Sequence, residues 1–193
     1  MARKWIGYIG VGSLMCATLG CGILYIRQVR LQQAISDKVL RFHVLANSDS
    51  EADQTLKLAV RDAVGSFMQE KLADVENLEE CELVVRQSLG EIEEAAAETI
   101  AENGYDYDVT AELEHTSFPV KNYGSYTFPA GDYEALRIVI GEGNGHNWWC
   151  VMYPNMCFSD SMYEVIDEEA GEKLRKVLTT EEYEKVLAEG DYQ

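Results

Sequence analysis

The chain is short of histidine, proline and positive charge. Its 193 residues include 3 His, 3 Pro and 16 Lys or Arg, against 34 Asp or Glu, which gives a net charge of −18. Three scattered histidines without a CxxC pair offer no ligand cluster for a metal ion. So acidic a chain is repelled by phosphate backbones, which argues against nucleic acid as a partner. No pattern indicates a cofactor or a small-molecule substrate.

The first 30 residues contain no acid and include a long run without any charge. This run extends from Trp5 to Ile26 and is followed by Arg27. As a helix it would extend for about 33 Å, enough for a hydrocarbon core of roughly 30 Å. We therefore expect residues 1–30 to be a signal-anchor and the rest of the chain to be exported. A cleaved signal peptide or processing at Cys21 stays open, because small residues lie between positions 17 and 22.

Residues 31–193 have the length of one domain and carry 12 Lys and Arg against 34 Asp and Glu. Apolar residues that alternate with polar ones predict strands, and apolar residues at helical spacing predict helices. The predicted elements are strands at 39–46, 107–114, 133–140 and 148–153, helices at 50–72 and 78–102, and an acidic helical tail at 161–193. Their order along the chain predicts an α+β fold, with one mixed β-sheet and helices packed on a face.

The five cysteines do not form a complete set of pairs. Cys16 and Cys21 lie in the apolar run, and Cys81 lies in a helical pattern. Cys150 and Cys157 have six residues between them, including a proline. In an exported domain this pair could form a disulfide, although the odd count leaves the pairing open.

Two groups of residues invite an interpretation as catalytic sites. His43 with Asp49, Asp53 and Asp62 could be an acid–base site, but no nucleophile accompanies them. The simpler interpretation places His43 on the wetter face of a strand and the aspartates at a helix cap. Cys150 could be a nucleophile with His146, although a structural cysteine is more common in exported proteins. We therefore predict no catalytic residue and keep a hydrolase or thiol enzyme using His43 or Cys150 as the alternative.

A glycine-rich segment, Gly141 to Gly145, connects two predicted strands. It lacks the GxxxxGK[ST] pattern of a phosphate-binding loop and contains an acid, so we interpret it as a flexible hairpin. Trp148 and Trp149 follow this segment. Tryptophans next to a mobile loop are candidates for a protein-binding hot spot.

Three blocks of sequence resemble the stage II sporulation protein R family. The first extends from Arg41 to Asp62 and opens with RFHVLANSDS, the second is FPAGDYEALR at 128–137, and the third extends from Gly141 to Phe158 and contains NWWCVMYP. Asn155 is a departure, because a second proline is expected at that position. The resemblance covers about residues 35–160.

This resemblance implies an intercellular signal of endospore formation. A member of this family is made in the forespore and exported into the space between forespore and mother cell. There it activates a membrane-embedded aspartic-type protease of the mother-cell membrane, which processes the precursor of the early mother-cell sigma factor. The family contributes no catalytic residues. A structural protein of the envelope is a further alternative.

We expect the partner-binding surface to include the turn 47–53 and the loop 141–149, since both lie in the resembling blocks. Family-typical folding constraints would explain the same blocks equally well, because turns and buried tryptophans also restrict sequence. The predicted contact residues are Asn47, Asp49, Asp53, Glu142, Asn147, Trp148 and Trp149.

Overall fold

The computed structural model describes the backbone of residues 2–156 and 168–187, and the side chains of residues 18–156 and 171–187. Eleven helices and strands lie in this part of the chain. In chain order they are α1 (Ala2–Ser36), β1 (Leu40–Leu45), α2 (Glu51–Lys71), α3 (Leu78–Glu102), β2 (Val109–Phe118), β3 (Lys121–Tyr123), β4 (Tyr126–Phe128), β5 (Gly131–Ile140), β6 (Asn147–Tyr153), α4 (Glu168–Val177) and α5 (Thr180–Leu187).

Four strands form a mixed sheet in the order β2-β5-β1-β6. β1 runs parallel to β5 and antiparallel to β6, and β2 runs antiparallel to β5. The register places His43 of β1 between Arg137 of β5 and Trp149 of β6. The short strands β3 and β4 form a separate hairpin. The predicted α+β class with a mixed sheet is therefore confirmed.

The first face of the sheet is covered by α2 and α3. Side chains alternate between the two faces of a strand, so Leu40, Phe42 and Val44 of β1 share this face, and all three are fully buried. They pack with the apolar stripes of the two helices in one core, which includes Val60 and Ile92. Helix α2 begins at the N-cap Ser50, whose side chain accepts a hydrogen bond from the Asp53 amide, as the sequence pattern predicts.

The second face is covered as well, which corrects the expectation of a wetter face. A second core there joins the end of α1, the β3–β4 hairpin, α4 and α5. Arg41 and His43 point into this layer and are only 0% and 3% exposed. Sequence alternation identified the polar side of β1 but not its cover, because the covering residues lie far away along the chain.

The C-terminal helices belong to this second layer. Leu174 of α4 and Val186 of α5 are fully buried. The hydroxyls of Tyr126 and Tyr183 are 3.0 Å apart, and Lys38 pairs with Glu182 at 2.6 Å. A short break, between Val177 and Thr180, separates α4 from α5. This part of the tail is therefore packed against the domain.

Helix α1 joins the domain through its last turns. Leu31 and Ile35 pack in the second core, whereas residues 18–30 are exposed. Across the side chains that the structure describes, no helix has a stretch that is both long and apolar enough to cross a membrane. The predicted segment Trp5–Ile26 lies partly outside these residues, since the side chains of residues 5–17 are not described.

Candidate partner-binding site

The two predicted contact segments meet at the end of the sheet where β1 ends. β5 and β6 are not neighbours, because β1 lies between them. The segment that connects β5 to β6, residues 141–146, therefore crosses over the end of β1, and the prediction of a hairpin is wrong. The chain leaves β1 beneath this crossing through residues 46–50. We call these two segments together the loop cluster.

Backbone hydrogen bonds tie the two segments of the loop cluster to each other. The Asn144 amide donates to the Asn47 carbonyl at 3.1 Å, and the Gly145 amide donates to the Ala46 carbonyl at 2.9 Å. The Glu142 amide donates to Asn47 Oδ1 at 3.0 Å. Asn47 is therefore an internal link of the loop cluster, which agrees with its half-buried position.

The glycines of residues 141–145 allow this close approach. Gly141 has a φ of +56°, a conformation that residues with a Cβ rarely adopt. A Cβ on Gly145 would overlap the carbonyl oxygen of Ser48 and lie 2.9 Å from Cβ of Ala46. The glycines thus fit a packed crossing, where the sequence suggested a flexible loop.

Asp53 holds the turn from the inside. Its carboxylate accepts hydrogen bonds from Asn47 Nδ2 at 2.9 Å and from the Ser48 hydroxyl. Hydrogen bonds from Ser48 and Asn47 lower the pKa of Asp53, and the Tyr107 hydroxyl contributes in the same direction. Asp53 is only 5% exposed, so it stabilises the turn from within. The role of Tyr107 has no local sequence signal, because it lies in a different part of the chain.

Asp49 and His146 form the exposed link of the loop cluster. The Asp49 carboxylate accepts from the His146 amide at 2.6 Å and contacts the ring Nδ1 of His146. The side-chain hydrogen bond with His146 is the main cause that lowers the pKa of Asp49. The side chains are 54% and 80% exposed. The sequence suggests His146 only as a base for Cys150, yet this residue lies beside the predicted contact residues.

The two tryptophans point to opposite faces of the sheet. Trp148 lies edge-on to Phe42 at 5.5 Å between ring centroids, and the Arg61 guanidinium lies 5.2 Å from its ring. Trp149 stacks on His43 at 4.9 Å. Both tryptophans are half-buried, as is Asn147, whose Oδ1 accepts no hydrogen bond from the described part of the chain. The two tryptophans thus extend the first and the second core to the edge of the loop cluster.

The loop cluster and the residues that pack against it therefore form an internal set and an exposed set. Asn47 and Asp53 hold the turn, and Trp148 and Trp149 pack into the two cores. The exposed side chains include those of Asp49, Glu142 and His146, together with Ser50 and Asn144. This surface is fixed by hydrogen bonds that are already formed, and it carries two acids and one histidine. Such a surface can bind a protein partner with little ordering of its own.

Comparison with known proteins gives one family. The family model described as stage II sporulation protein R matches residues 36–163. The Stage II sporulation protein R of Bacillus subtilis (strain 168) is 39% identical over 158 residues, which cover 81% of this chain and 70% of that protein. The chain belongs to the stage II sporulation protein R family. No solved structure matches it.

The residues that the stage II sporulation protein R family model matches include the whole loop cluster and all six strands. It also includes Arg41, which lies fully buried inside the second core. The Arg41 guanidinium lies 4.3 Å from the ring centroid of Phe118, and three further aromatic rings surround it. Its Nε donates to the Cys150 carbonyl and one Nη to the Tyr123 hydroxyl, both at 2.9 Å. The other Nη has no hydrogen-bond partner among the residues that the structure describes.

The residues considered for catalysis in this family member are not arranged as a nucleophile with its base. His43 and Cys150 lie on opposite faces of the sheet, in the second and first core respectively. Burial lowers the pKa of His43 from 6.5 to about 3, with Arg137 and Arg41 as further causes. His146 lies outside on the loop cluster. Among the described side chains, no group of three His, Cys, Asp or Glu residues could hold a metal ion.

The cysteine pairing of this family member stays a prediction. Cys157 lies outside the described residues, so its distance from Cys150 is not defined. Cys150 is 4% exposed within the first core. Cys21 and Cys81 are free thiols, the former exposed and the latter buried. Burial raises the pKa of Cys81 to about 12, so this thiol is unreactive at neutral pH.

Proposed function

We propose that this chain is an exported intercellular signal of endospore formation. It is made in the forespore, acts in the space between forespore and mother cell, and activates a membrane-embedded aspartic-type protease of the mother-cell membrane. That protease processes the precursor of the early mother-cell sigma factor. The observation that carries the proposal is membership of the stage II sporulation protein R family, with the loop cluster inside the matched residues.

The proposed role is that of a protein ligand rather than an enzyme. A ligand activates its receptor only by binding the active state more tightly than the inactive state. The loop cluster suits this task, because its hydrogen bonds hold Asp49, Glu142 and His146 in place before any partner arrives. Little conformational entropy is then lost on binding. We assign the receptor contact to these three side chains, supported by Asn47, Asp53 and the half-buried Asn147, Trp148 and Trp149.

We assign the N-terminal segment to the membrane. Its uncharged run ends at Ile26, and the described part of α1 exposes apolar side chains on all sides: Leu19, Ile23, Leu24 and Tyr25 are each more than 60% exposed. A helix that is apolar all round belongs in a core or a bilayer. In this proposal the chain is exported from the forespore, either anchored by this segment or released after its cleavage.

Reconstitution tests the proposal. The chain is expressed with the candidate protease and the sigma-factor precursor in a host that does not sporulate, and precursor cleavage is followed on a blot. The expected result is cleavage that requires the chain. Absence of cleavage, with all three proteins present in the correct compartments, contradicts the proposed signalling role.

The enzymatic alternative makes a different prediction in the same assay. An enzyme that uses His43 or Cys150 loses activity when His43→Ala or Cys150→Ser is introduced into a folded protein. A ligand that acts through the loop cluster keeps its activity in each variant that folds. Folding of each variant is checked by circular dichroism, because both side chains are buried.

A further inference from the structure

Strand β2 forms one edge of the mixed sheet, since β5 is its only neighbour among the described strands. In an antiparallel pair, residues that lie opposite each other alternately exchange two hydrogen bonds and none. The Gly141 amide donates to the Asp108 carbonyl at 2.8 Å, one step before the opposite pair of Val109 and Ile140. Every second residue of β2, from Val109 to Ser117, therefore turns its amide and carbonyl groups away from the sheet.

Part of this outward edge has no cover. The Ala111 amide donates to the Glu93 carboxylate of α3 at 2.8 Å. The outward amides that follow, those of Leu113, His115 and Ser117, donate no hydrogen bond within the described part of the chain. The stretch has the sequence LEHTS and a continuous register, so it lacks the proline, lysine or bulge that often protects an edge. Its free amides and carbonyls can pair with another extended segment.

An acidic cavity lies beside this edge on the first face of the sheet. Its volume is about 280 Å³, and His115 forms part of the wall. Four carboxylates also line it, those of Asp37, Glu82, Asp132 and Glu134. Arg86 and His115 both contact Glu134, whereas the other three acids form no ion pair with a described residue. Burial is the main cause that raises the pKa of Glu82, and Glu134 contributes. The excess of negative charge favours a basic side chain there.

The second face of the same edge is acidic as well. Glu112 and Glu114 of β2 share one guanidinium, that of Arg137, at 3.4 and 3.5 Å. Their side chains are 56% and 39% exposed. Both sides of the free edge therefore repel an acidic segment and attract a basic one.

This charge argues against two occupants from the protein itself. Residues 157–167 and 188–193, which lie outside the described structure, contain acids and no Lys or Arg. A second copy brings a domain with 34 acids against 12 Lys and Arg. The charge of the edge thus favours a segment of another protein that carries lysine or arginine.

We propose that residues 113–117 bind an extended basic segment of a protein partner by antiparallel strand addition. The backbone of this segment would exchange hydrogen bonds with Leu113, His115 and Ser117. Its residues opposite these three would place their side chains on the first face, so that alternate basic side chains would lie at the acidic cavity. The loop cluster is a separate surface, because the free stretch lies nearer the other end of the sheet.

A peptide and hydrogen exchange test the proposal. The probe is the blocked heptapeptide Lys-Val-Lys-Val-Lys-Val-Lys, added to the full chain in an uncharged detergent. Exchange of the β2 amides is measured by NMR. The amides of Leu113, His115 and Ser117 should exchange about tenfold more slowly when roughly nine tenths of the chains hold the peptide. The amides of Glu112 and Glu114 already donate within the sheet and should change little.

Methylated peptides separate strand addition from charge attraction. In the proposed arrangement the lysine amides of the peptide face β2 and the valine amides face solvent. N-methylation of the lysine amides should therefore abolish the slower exchange, and N-methylation of the valine amides should preserve it. A heptapeptide with glutamate in place of lysine should bind at least about tenfold more weakly.

Charge variants of the chain test the cavity. Glu82→Gln with Asp132→Asn removes two carboxylates that have no ion pair, and peptide binding should weaken about tenfold. The matched control is Glu94→Gln with Glu98→Gln, which removes the same charge from the exposed side of α3 and should bind the peptide like the unsubstituted chain. Thermal unfolding of both variants shows whether the domain is intact.

Several outcomes would overturn the proposal. They are unchanged exchange at the three amides, equal binding of the two methylated peptides, equal binding of the glutamate peptide, and equal weakening by the two charge variants. Slow exchange of the three amides without peptide, increasing with chain concentration, would instead place a second copy on the edge. The assay contains no protease, so its result is independent of the proposed signalling role.

Discussion

A Cβ atom on Gly141 would overlap the amide oxygen of Asn47 and lie 2.9 Å from its Cγ. The same amide oxygen accepts the hydrogen bond from the Glu142 backbone. The crossing loop and the turn after β1 therefore fit together only if position 141 has no side chain. The exposed position of Glu142 depends on this contact.

Substitution of Gly141 by alanine should destabilise the protein by about 2–4 kcal/mol, from the positive φ and the displaced Asn47 amide. Gly90→Ala is the control, because Gly90 lies in α3 with nothing near its Cβ position. That change should be neutral or stabilise by up to ~1 kcal/mol. Urea unfolding of the full chain in detergent measures both. Equal stability of the two variants would show that the loop is not packed as described.

Removal of the Tyr123 hydroxyl should lower the free energy of unfolding, because the buried Arg41 guanidinium then loses a hydrogen bond. This hydroxyl accepts one of the two hydrogen bonds that Arg41 makes, and no ion pair to Arg41 occurs among the described residues. We expect Tyr123→Phe to cost about 1.5–3 kcal/mol, the range for hydrogen bonds to charged groups. Tyr105→Phe, at a ring that stacks on Tyr107, should cost less than ~0.5 kcal/mol. A cost for Tyr123→Phe no larger than that of the control would contradict the role of this bond.

The burial of His43 should make the protein sensitive to acid. Its pKa is lowered from 6.5 to about 3, so the unfolded chain binds a proton in this window and the folded chain does not. The free energy of unfolding therefore falls as the pH decreases through this range, by about 1.4 kcal/mol per pH unit from His43 alone.

His43→Phe should remove this contribution. The loss of stability between neutral pH and about pH 5 should be smaller by about 2 kcal/mol than in the unsubstituted protein. His115→Phe, at a side chain that is 78% exposed, serves as the control for an acid effect of other groups. If His43→Phe and the unsubstituted protein lose equal stability, His43 is protonated in the folded state.

Helix α5 should be required for the stability of the domain. Val186 is fully buried and Tyr183 is 8% exposed, so loss of the helix uncovers the second core around Tyr126. A chain that ends at Leu178 should lose at least ~3 kcal/mol and become sensitive to protease. A chain that ends at Leu187 should match the full protein in limited proteolysis. Equal resistance of the two truncated chains would show that α5 is dispensable.

Local sequence patterns predicted most helices and strands. Alternation in β1 and the helical spacing of Val60 and Ile92 report burial against the first core, and these signals are contained in short segments. The predicted start of α2 at residue 50 agrees with the N-cap Ser50 for the same reason. Between the strands predicted at 107–114 and 133–140 the sequence indicates only a loop or edge element. The structure has the β3–β4 hairpin there, and each of its strands has only three residues.

Contacts between distant segments could not be predicted in this way. Arg41 appears as a polar residue in a strand, and the aromatic residues that surround it lie about 80–90 positions later. The glycines at 141–145 indicate a turn, but only the strand order shows that the turn crosses β1. Family resemblance identified the two segments of the loop cluster, and the structure distinguishes the internal Asn47 and Asp53 from the exposed Glu142.

Precursor cleavage by the reconstituted protease, with the exposed side of the loop cluster altered, tests the central claim most directly. Glu142→Lys with His146→Ala changes exposed side chains and leaves the backbone hydrogen bonds of the crossing in place. We expect this variant to fold. The rate of precursor cleavage should fall by about tenfold or more, as for the loss of a contact that contributes ~1.4 kcal/mol to binding. Glu98→Lys, on the exposed side of α3, should support precursor cleavage as well as the unsubstituted chain does. Full cleavage with the loop variant would contradict the assignment of the loop cluster as the partner-binding surface.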